Sequence, residues 1–200
     1  MMGFLAFERW RKHKAAQVYS WLARGDFGSI GRGSVIYPPF HSNNPGGVYV
    51  GRDCMICAGG WLDTFAAPGH SLEDARIEIG DNAYIGFRSH IIACHHISIG
   101  RHVVLADGVY ITDNLHGYED ISRPVMAQPL KVPGPVAIED EVWLGEGVCV
   151  MPDVTIGRHS VVGSNSVVTR DIPAYSVAVG IPARVIKRYD AQTEEWVSTR

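Results

Sequence analysis

Aliphatic residues return at every sixth position through most of this chain. From Ile138 the series continues through Leu144, Val150, Ile156, Val162 and Val168. Upstream the same step links Ile79, Ile85 and Ile91, then Ile99, Leu105 and Ile111. Val50, Ile56 and Leu62 precede these, and Ile30 and Ile36 open the pattern. Four residues after a start stand small or β-branched side chains, such as Val142, Val148, Val154, Ser160 and Ser166. One residue after a start, Gly145, Gly157 and Gly163 recur. Side chains alternate along a strand, so the fourth position and the next start share a face. The corner between strands falls one to three residues after a start, where Gly, Asp and Asn tolerate the bend. Three such strands close a triangular coil of about 18 residues, and coils stack about 4.8 Å apart. The pattern predicts a parallel β-helix. An α-helix would repeat at i, i+3, i+4 and i+7, and a β-sandwich would lack a fixed period.

Two stretches interrupt the period. One is residues 65–76, FAAPGHSLEDAR; the other is residues 116–135, HGYEDISRPVMAQPLKVPGP. Pro124, Pro129, Pro133 and Pro135 bar the second from regular strand or helix. Long excursions from a compact domain are usually functional. A smaller slip lies at CHHISIG: Ile91 and Ile99 are eight apart, which places two extra residues near His95 and His96. Before the repeats, residues 4–24 lack Gly and Pro and read as a helix. Its residues Phe7, Trp10, Val18, Trp21 and Leu22 form the face expected to cover the open end of the coils, since solenoids need caps. A helix lying on a membrane surface is the rival, because Trp beside Arg and Lys suits an interface. The expected organisation is a helical cap over 1–27, the β-helix over 28–188 and a polar tail over 189–200, either a short helix or frayed.

Composition narrows the partners. The 200 residues carry a formal net charge of -3, without the basic stripe that nucleic acid requires. No apolar run approaches the roughly 18 residues of a membrane span, and the opening residues do not read as a signal peptide. A cytoplasmic protein with no nucleic-acid partner and no membrane association is expected. Cys54, Cys57, Cys94 and Cys149 are not spaced as a disulfide framework or a zinc site and read as small apolar side chains.

The stretch from 136 to 187, VAIEDEVWLGEGVCVMPDVTIGRHSVVGSNSVVTRDIPAYSVAVGIPARVIK, carries a resemblance. It is similar to the hexapeptide-repeat acyltransferases, above all bacterial O-acetyltransferases of the maltose and galactoside type and those of surface polysaccharides. The likeness extends over about residues 30–188. It implies an all-β, left-handed parallel β-helix; left-handed crossovers are the exception among parallel connections, so the hand comes from the resemblance. It further implies a homotrimer with active sites at subunit interfaces. Acetyl-CoA would be the co-substrate, no metal would be required, and the acceptor would be a small molecule or glycan.

Site residues follow from the same likeness joined to the pattern. Alternation from Ile111 turns Leu115 and Gly117 inward and His116 outward, where the second excursion departs. In the resembling enzymes a histidine at this place is the general base, a task that suits imidazole because its pKa lies near working pH. Asp113 is the first candidate to orient that imidazole, with Asn114 and Glu119 as alternatives. Trp143 points outward and matches a tryptophan beside the acetyl and pantetheine portion of the cofactor. Gly145 follows it, and the backbone N–H at Glu146 matches an oxyanion donor. Gly163, Ser164, Thr169 and Arg170 match cofactor contacts, and Arg184 and Lys187 could meet phosphates.

The acceptor side departs from the family. Galactoside-type enzymes carry an asparagine and an aspartate where this chain has Gly86 and Cys94. Trp61, Asp63, Arg88, Asn114 and Tyr118 are the acceptor candidates, with His95 and His96 near the same corners. The expected reaction is acetyl transfer to a sugar hydroxyl, in surface polysaccharide synthesis. Two rivals use the same scaffold. A zinc enzyme resembling the γ-type carbonic anhydrases would use His90, His95 and His116, although their spacing departs from that family; the other is a non-catalytic assembly module.

Overall fold

The aliphatic series forms three stacked parallel ladders, one on each face of a triangular coil. The computed structural model describes residues 3–199; Met1, Met2 and Arg200, at the ends of the expected cap and tail, lie outside the described residues. The first face stacks Ser29–Ile30, Val48–Val50, Arg76–Ile79, His96–Ile99, Val136–Ile138 and Thr155–Ile156. The second stacks Val35–Ile36, Met55–Ile56, Tyr84–Ile85, Val104–Leu105, Trp143–Leu144, Val161–Val162 and Ser176–Gly180. The third stacks Trp61–Thr64, His90–Ala93, Tyr110–Thr112, Cys149–Val150 and Val167–Val168. Coils align residue on residue, as in the column Val104, Trp143 and Val161.

The period dictates burial. Ile85, Leu105 and Leu144 are fully buried starts, and Val103, Val142 and Val148, four residues after a start, are buried with them. The third residue after a start takes the left-handed conformation that turns the corner. Asp53, Asn82, His102, Glu141 and His159 do so with φ of 55, 60, 56, 63 and 55°.

Both excursions leave from the corner between the third and first faces. Residues 65–75 join Trp61–Thr64 to Arg76–Ile79, and residues 113–135 join Tyr110–Thr112 to Val136–Ile138. The coil between them crosses the same corner with Cys94 and His95 alone, at the slip seen in the sequence. The second excursion is not wholly irregular, contrary to expectation. Leu115–His116 pairs antiparallel with Leu130–Lys131, two residues that fit between Pro129 and Pro133. A short 3-10 turn, Val125–Ala127, follows Pro124.

The helix is present, but another of its faces is buried. Helix α1, Phe4–Ala23, meets the coils through Ala16 and Ser20, its only buried residues. Ser20 Oγ accepts the N–H of Ile36 at 2.8 Å and donates to Ala16 O at 2.7 Å. Only small side chains admit the helix this close to the backbone of the first strand on the second face. Phe7, Trp10, Val18, Trp21 and Leu22 therefore point outward and are exposed. The tail also differs from expectation. Ala183–Asp190 folds antiparallel on Ser176–Gly180, and Glu195–Ser198 adds a further antiparallel strand.

Candidate functional site

The parallel ladder of the third face ends at Thr112, opposite Ile92. Asp113 then replaces strand pairing with side-chain acceptance. Its buried carboxylate takes the N–H groups of Cys94 and His95, each at 2.8 Å. The chain swings outward, and residues 115–116 pair with the returning arm of the excursion instead of with a coil. The alternation counted from Ile111 stops at this turn. Leu115, expected inward, is exposed, while Gly117 is buried. His116 is exposed as expected, and its imidazole has no hydrogen-bond partner among the described residues.

None of the three residues considered as its orienter bonds to it. Asp113 is committed to the backbone of the coil below. Asn114 Nδ2 bridges Ile92 O at 3.4 Å and Asp113 Oδ1 at 3.2 Å. Glu119 pairs with Lys131 across the excursion, and that ammonium holds its carboxyl below the usual range. Tyr118 stands on the same excursion with its ring 67% exposed, free to face an acceptor.

The expected cofactor residues stand mainly elsewhere on the prism. Trp143 projects from the second face, 52% exposed. It shares an outward column with Val161, Val177 and Lys187. Gly145 and Glu146 follow at the corner between the second and third faces, with Gly163 and Ser164 on the next coil. The N–H of Glu146 has no acceptor among the described residues; at the same corner two coils below, the N–H of Phe87 is taken by Asp107 at 3.0 Å. Thr169 and Arg170 are exposed at the corner from which His116 departs. Arg184 turns back on its own strand, donating to Ala183 O at 2.8 Å. One chain thus does not bring His116 together with Trp143 and Glu146, because they occupy different corners.

The acceptor candidates also disperse. Asp63 is fully buried and accepts from the backbone of Asn43 and Asn44 at 3.0 and 2.8 Å and from the Trp61 indole at 3.1 Å. Burial alone would raise its pKa, but these donors outweigh burial and hold it below the ordinary value. Asp63 therefore pins residues 43–44 instead of meeting substrate. Trp61 lies edge-on between His41 and His90, at 5.7 and 5.5 Å between ring centroids. Arg88 turns a different corner, between the second and third faces, with φ 55°. His90 and His95 are not gathered with His116: His90 meets Trp61 edge-on, and His95 faces the first excursion. No group of three His, Cys, Asp or Glu among the described residues could hold a metal ion.

A cleft of about 610 Å³ opens at the corner of the two excursions, lined by His70, Asp74, Arg76, Glu78, His95 and His96. The rings of His70 and His95 lie 4.7 Å apart. Glu78 takes His96 at 3.2 Å and Arg76 at 3.3 Å. The Ser71 hydroxyl donates to Asp74 at 2.6 Å and lowers its pKa. Asp113 accepts the His95 N–H, so the cleft floor and the root of the His116 strand are joined by hydrogen bonds. His70 escaped the sequence reading; the usable signal was a histidine in an excursion one coil below the CHH slip. A second hollow, about 620 Å³, runs down the first face past Tyr49, Ser98 and Ala137 and holds none of the expected site residues. Cys94, matching the family aspartate, cannot act as a base near neutral pH: burial, aided by the Asp113 charge, pushes its thiol up to about 11.

Two family descriptions match the chain: a hexapeptide repeat of succinyl-transferase at residues 76–113 and the bacterial transferase hexapeptide (six repeats) at 135–170. The interval between them is the second excursion. A putative lipopolysaccharide biosynthesis O-acetyl transferase, WbbJ of Escherichia coli (strain K12), is 36% identical over 169 residues, 81% of this chain and 82% of its own. The chain belongs to the hexapeptide-repeat acetyltransferases. It is an acyltransferase, and its coils form the left-handed β-helix of that family. The hexapeptide-repeat acetyltransferase VCA0836 of Vibrio cholerae O1 biovar eltor, solved with acetyl coenzyme A, aligns with TM-score 0.62 and 28% identity over 88% of this chain and 78% of its own. AntD, an N-acyltransferase from Bacillus cereus solved with dTDP-4-amino-4,6-dideoxyglucose and coenzyme A, shares the fold with TM-score 0.71 at 20% identity, over 88% of this chain and 91% of its own. No helix among the described residues is long and apolar enough to cross a membrane.

Proposed function

We propose that this acetyltransferase moves an acetyl group from acetyl-CoA to a hydroxyl of a sugar destined for surface polysaccharide, with His116 as general base. The observation that carries the reading is the unpartnered, exposed imidazole at the root of the second excursion, which leaves from the corner where the polar cleft opens. The cleft beside the first excursion holds the acceptor, since its carboxylates accept from sugar hydroxyls and its imidazoles donate to them. Acetyl-CoA supplies a thioester carbonyl. The acceptor oxygen bonds to the carbonyl carbon as His116 takes the hydroxyl proton. The carbon–sulfur bond breaks, and the imidazolium returns the proton to the departing thiolate. The free N–H of Glu146 meets the negative charge that develops on the carbonyl oxygen.

The column from Trp143 to Lys187 suits the cofactor: an aromatic face at one end and an ammonium roughly 14 Å along, three strand spacings away. Because His116 and Glu146 stand on different corners, a complete site needs two protomers. The likeness to WbbJ supports a glycan acceptor, and in a homotrimer each protomer would offer its His116 corner to one neighbour and its Glu146 corner to the other.

The test follows thioester consumption by the full-length protein against sugars, nucleotide sugars and amino sugars. A hydroxyl acceptor is expected to turn over, with kcat falling about 10²-fold or more in His116→Ala. Unchanged turnover in that variant overturns the base assignment. Turnover confined to amino sugars overturns O-acetylation.

A further inference from the structure

Helix α1 is built inside out. Its small residues Ala16 and Ser20 face the coils, and its large apolar residues face water. At 100° per residue, Phe7, Trp10, Val18, Trp21 and Leu22 fall in the half of the helix opposite Ala16 and Ser20. Their exposures are 44, 50, 57, 68 and 67%. Arg11 and Lys14 lie in the same sector, among the aromatic rings. A contiguous apolar face of this kind on water marks an interaction surface.

Charge selects the partner. Helix α1 carries Arg9, Arg11, Lys12 and Lys14 against Glu8 alone, whereas the whole chain has a net charge of -3. Glu8 is itself neutralised by Arg11 at 2.9 Å. The basic helix thus belongs to an otherwise acidic molecule. An anionic surface attracts this end and repels the remainder, which fixes orientation as well as affinity. Tryptophan beside long cationic side chains matches a lipid interface, where rings sit at headgroup level and the cations reach phosphate. A two-fold contact between copies of α1 would instead gather Arg11 and Lys14 of both copies in one apolar interface, like charge with like.

We propose that the outer face of α1 docks on the surface of an anionic lipid bilayer without crossing it. The contact reverses the expectation of no membrane association. It places a glycan-modifying enzyme at a membrane by the end of its prism, with the cleft on the side of the prism left open.

The test is co-sedimentation of the full-length protein with phosphatidylcholine vesicles, with and without phosphatidylglycerol. Binding is expected only with the anionic lipid and is expected to weaken at high salt. Trp10→Ala/Trp21→Ala and, separately, Arg11→Glu/Lys14→Glu should each lower affinity by about tenfold or more. Both should leave thioester turnover with a soluble acceptor intact, which separates this proposal from the catalytic reading. Absence of sedimentation with the anionic vesicles overturns the proposal. So does a fall in native mass by light scattering in either variant with vesicle binding unchanged, which would assign the face to a second copy.

Discussion

Two aspartates, Asp63 and Asp113, do similar work near the corner where the excursions leave: Asp63 inside its strand and Asp113 just past the end of its own each accept backbone N–H groups of a neighbouring segment. Asp63 is the more heavily bonded, and its folded pKa lies below the unfolded value. Its contribution to stability is therefore present above about pH 4 and is lost as pH falls through the folded value. Asp63→Asn should lower stability at pH 7 by about 1–3 kcal/mol and flatten the acid limb of the stability curve. Urea midpoints measured from pH 7 down to pH 3 check both; an unaltered acid limb would deny Asp63 this role. The exposure of His116 was legible in the sequence, because the break in period marks it. The commitments of Asp63, Asp113 and Asn114 were not, since they depend on which backbone groups of the adjacent coil come opposite. That register is a property of stacked coils and is invisible within one coil.

The six-residue unit is the element of this fold, and nearly all of it could be read from the pattern. Start, fourth position and left-handed corner fall where the spacing put them. The glycine after a start has a packing reason. A Cβ on Gly100 would lie 2.6 Å from the backbone nitrogen of Asp140 on the next coil. Gly25 meets nothing within 4 Å. Gly100→Ala should thus cost about 1–3 kcal/mol through forced separation of coils, whereas Gly25→Ala should leave the melting temperature nearly unchanged. Thermal unfolding of the pair checks this, and equal melting temperatures would refute the packing account. Helix α1 was legible as a helix, but its buried face was not. Hydrophobicity nominated the tryptophans, and close approach to a strand edge selected alanine and serine. A final strand holding Arg184 and Lys187 was legible, but its antiparallel direction and the strand Glu195–Ser198 were not, because the period ends before them.

At the scale of the molecule, division of the site between corners has a measurable consequence. His116→Ala and Trp143→Ala protomers should each be weakly active alone. When they are refolded together, the proposed trimer places an intact His116 beside an intact Trp143 in roughly a quarter of sites by random assortment. Specific activity should rise accordingly, as measured by thioester consumption. Mixtures no better than the mean of the parents would place each site within one chain. Period counting could have placed both excursions at one corner, since they interrupt the same phase two coils apart. The cleft beside the first of them needed the folded chain, because His70 and His95 meet only across coils.

The two ends of the prism differ in how they finish. At one end, the Ser20 hydroxyl occupies the Ile36 N–H that a further coil would take. At the other, the chain reverses direction, so an incoming parallel strand finds an antiparallel edge. A stack of identical parallel rungs is a template for its own end-on growth, as in fibrils. One hydroxyl and one reversal of strand direction obstruct that route at both ends of the second face.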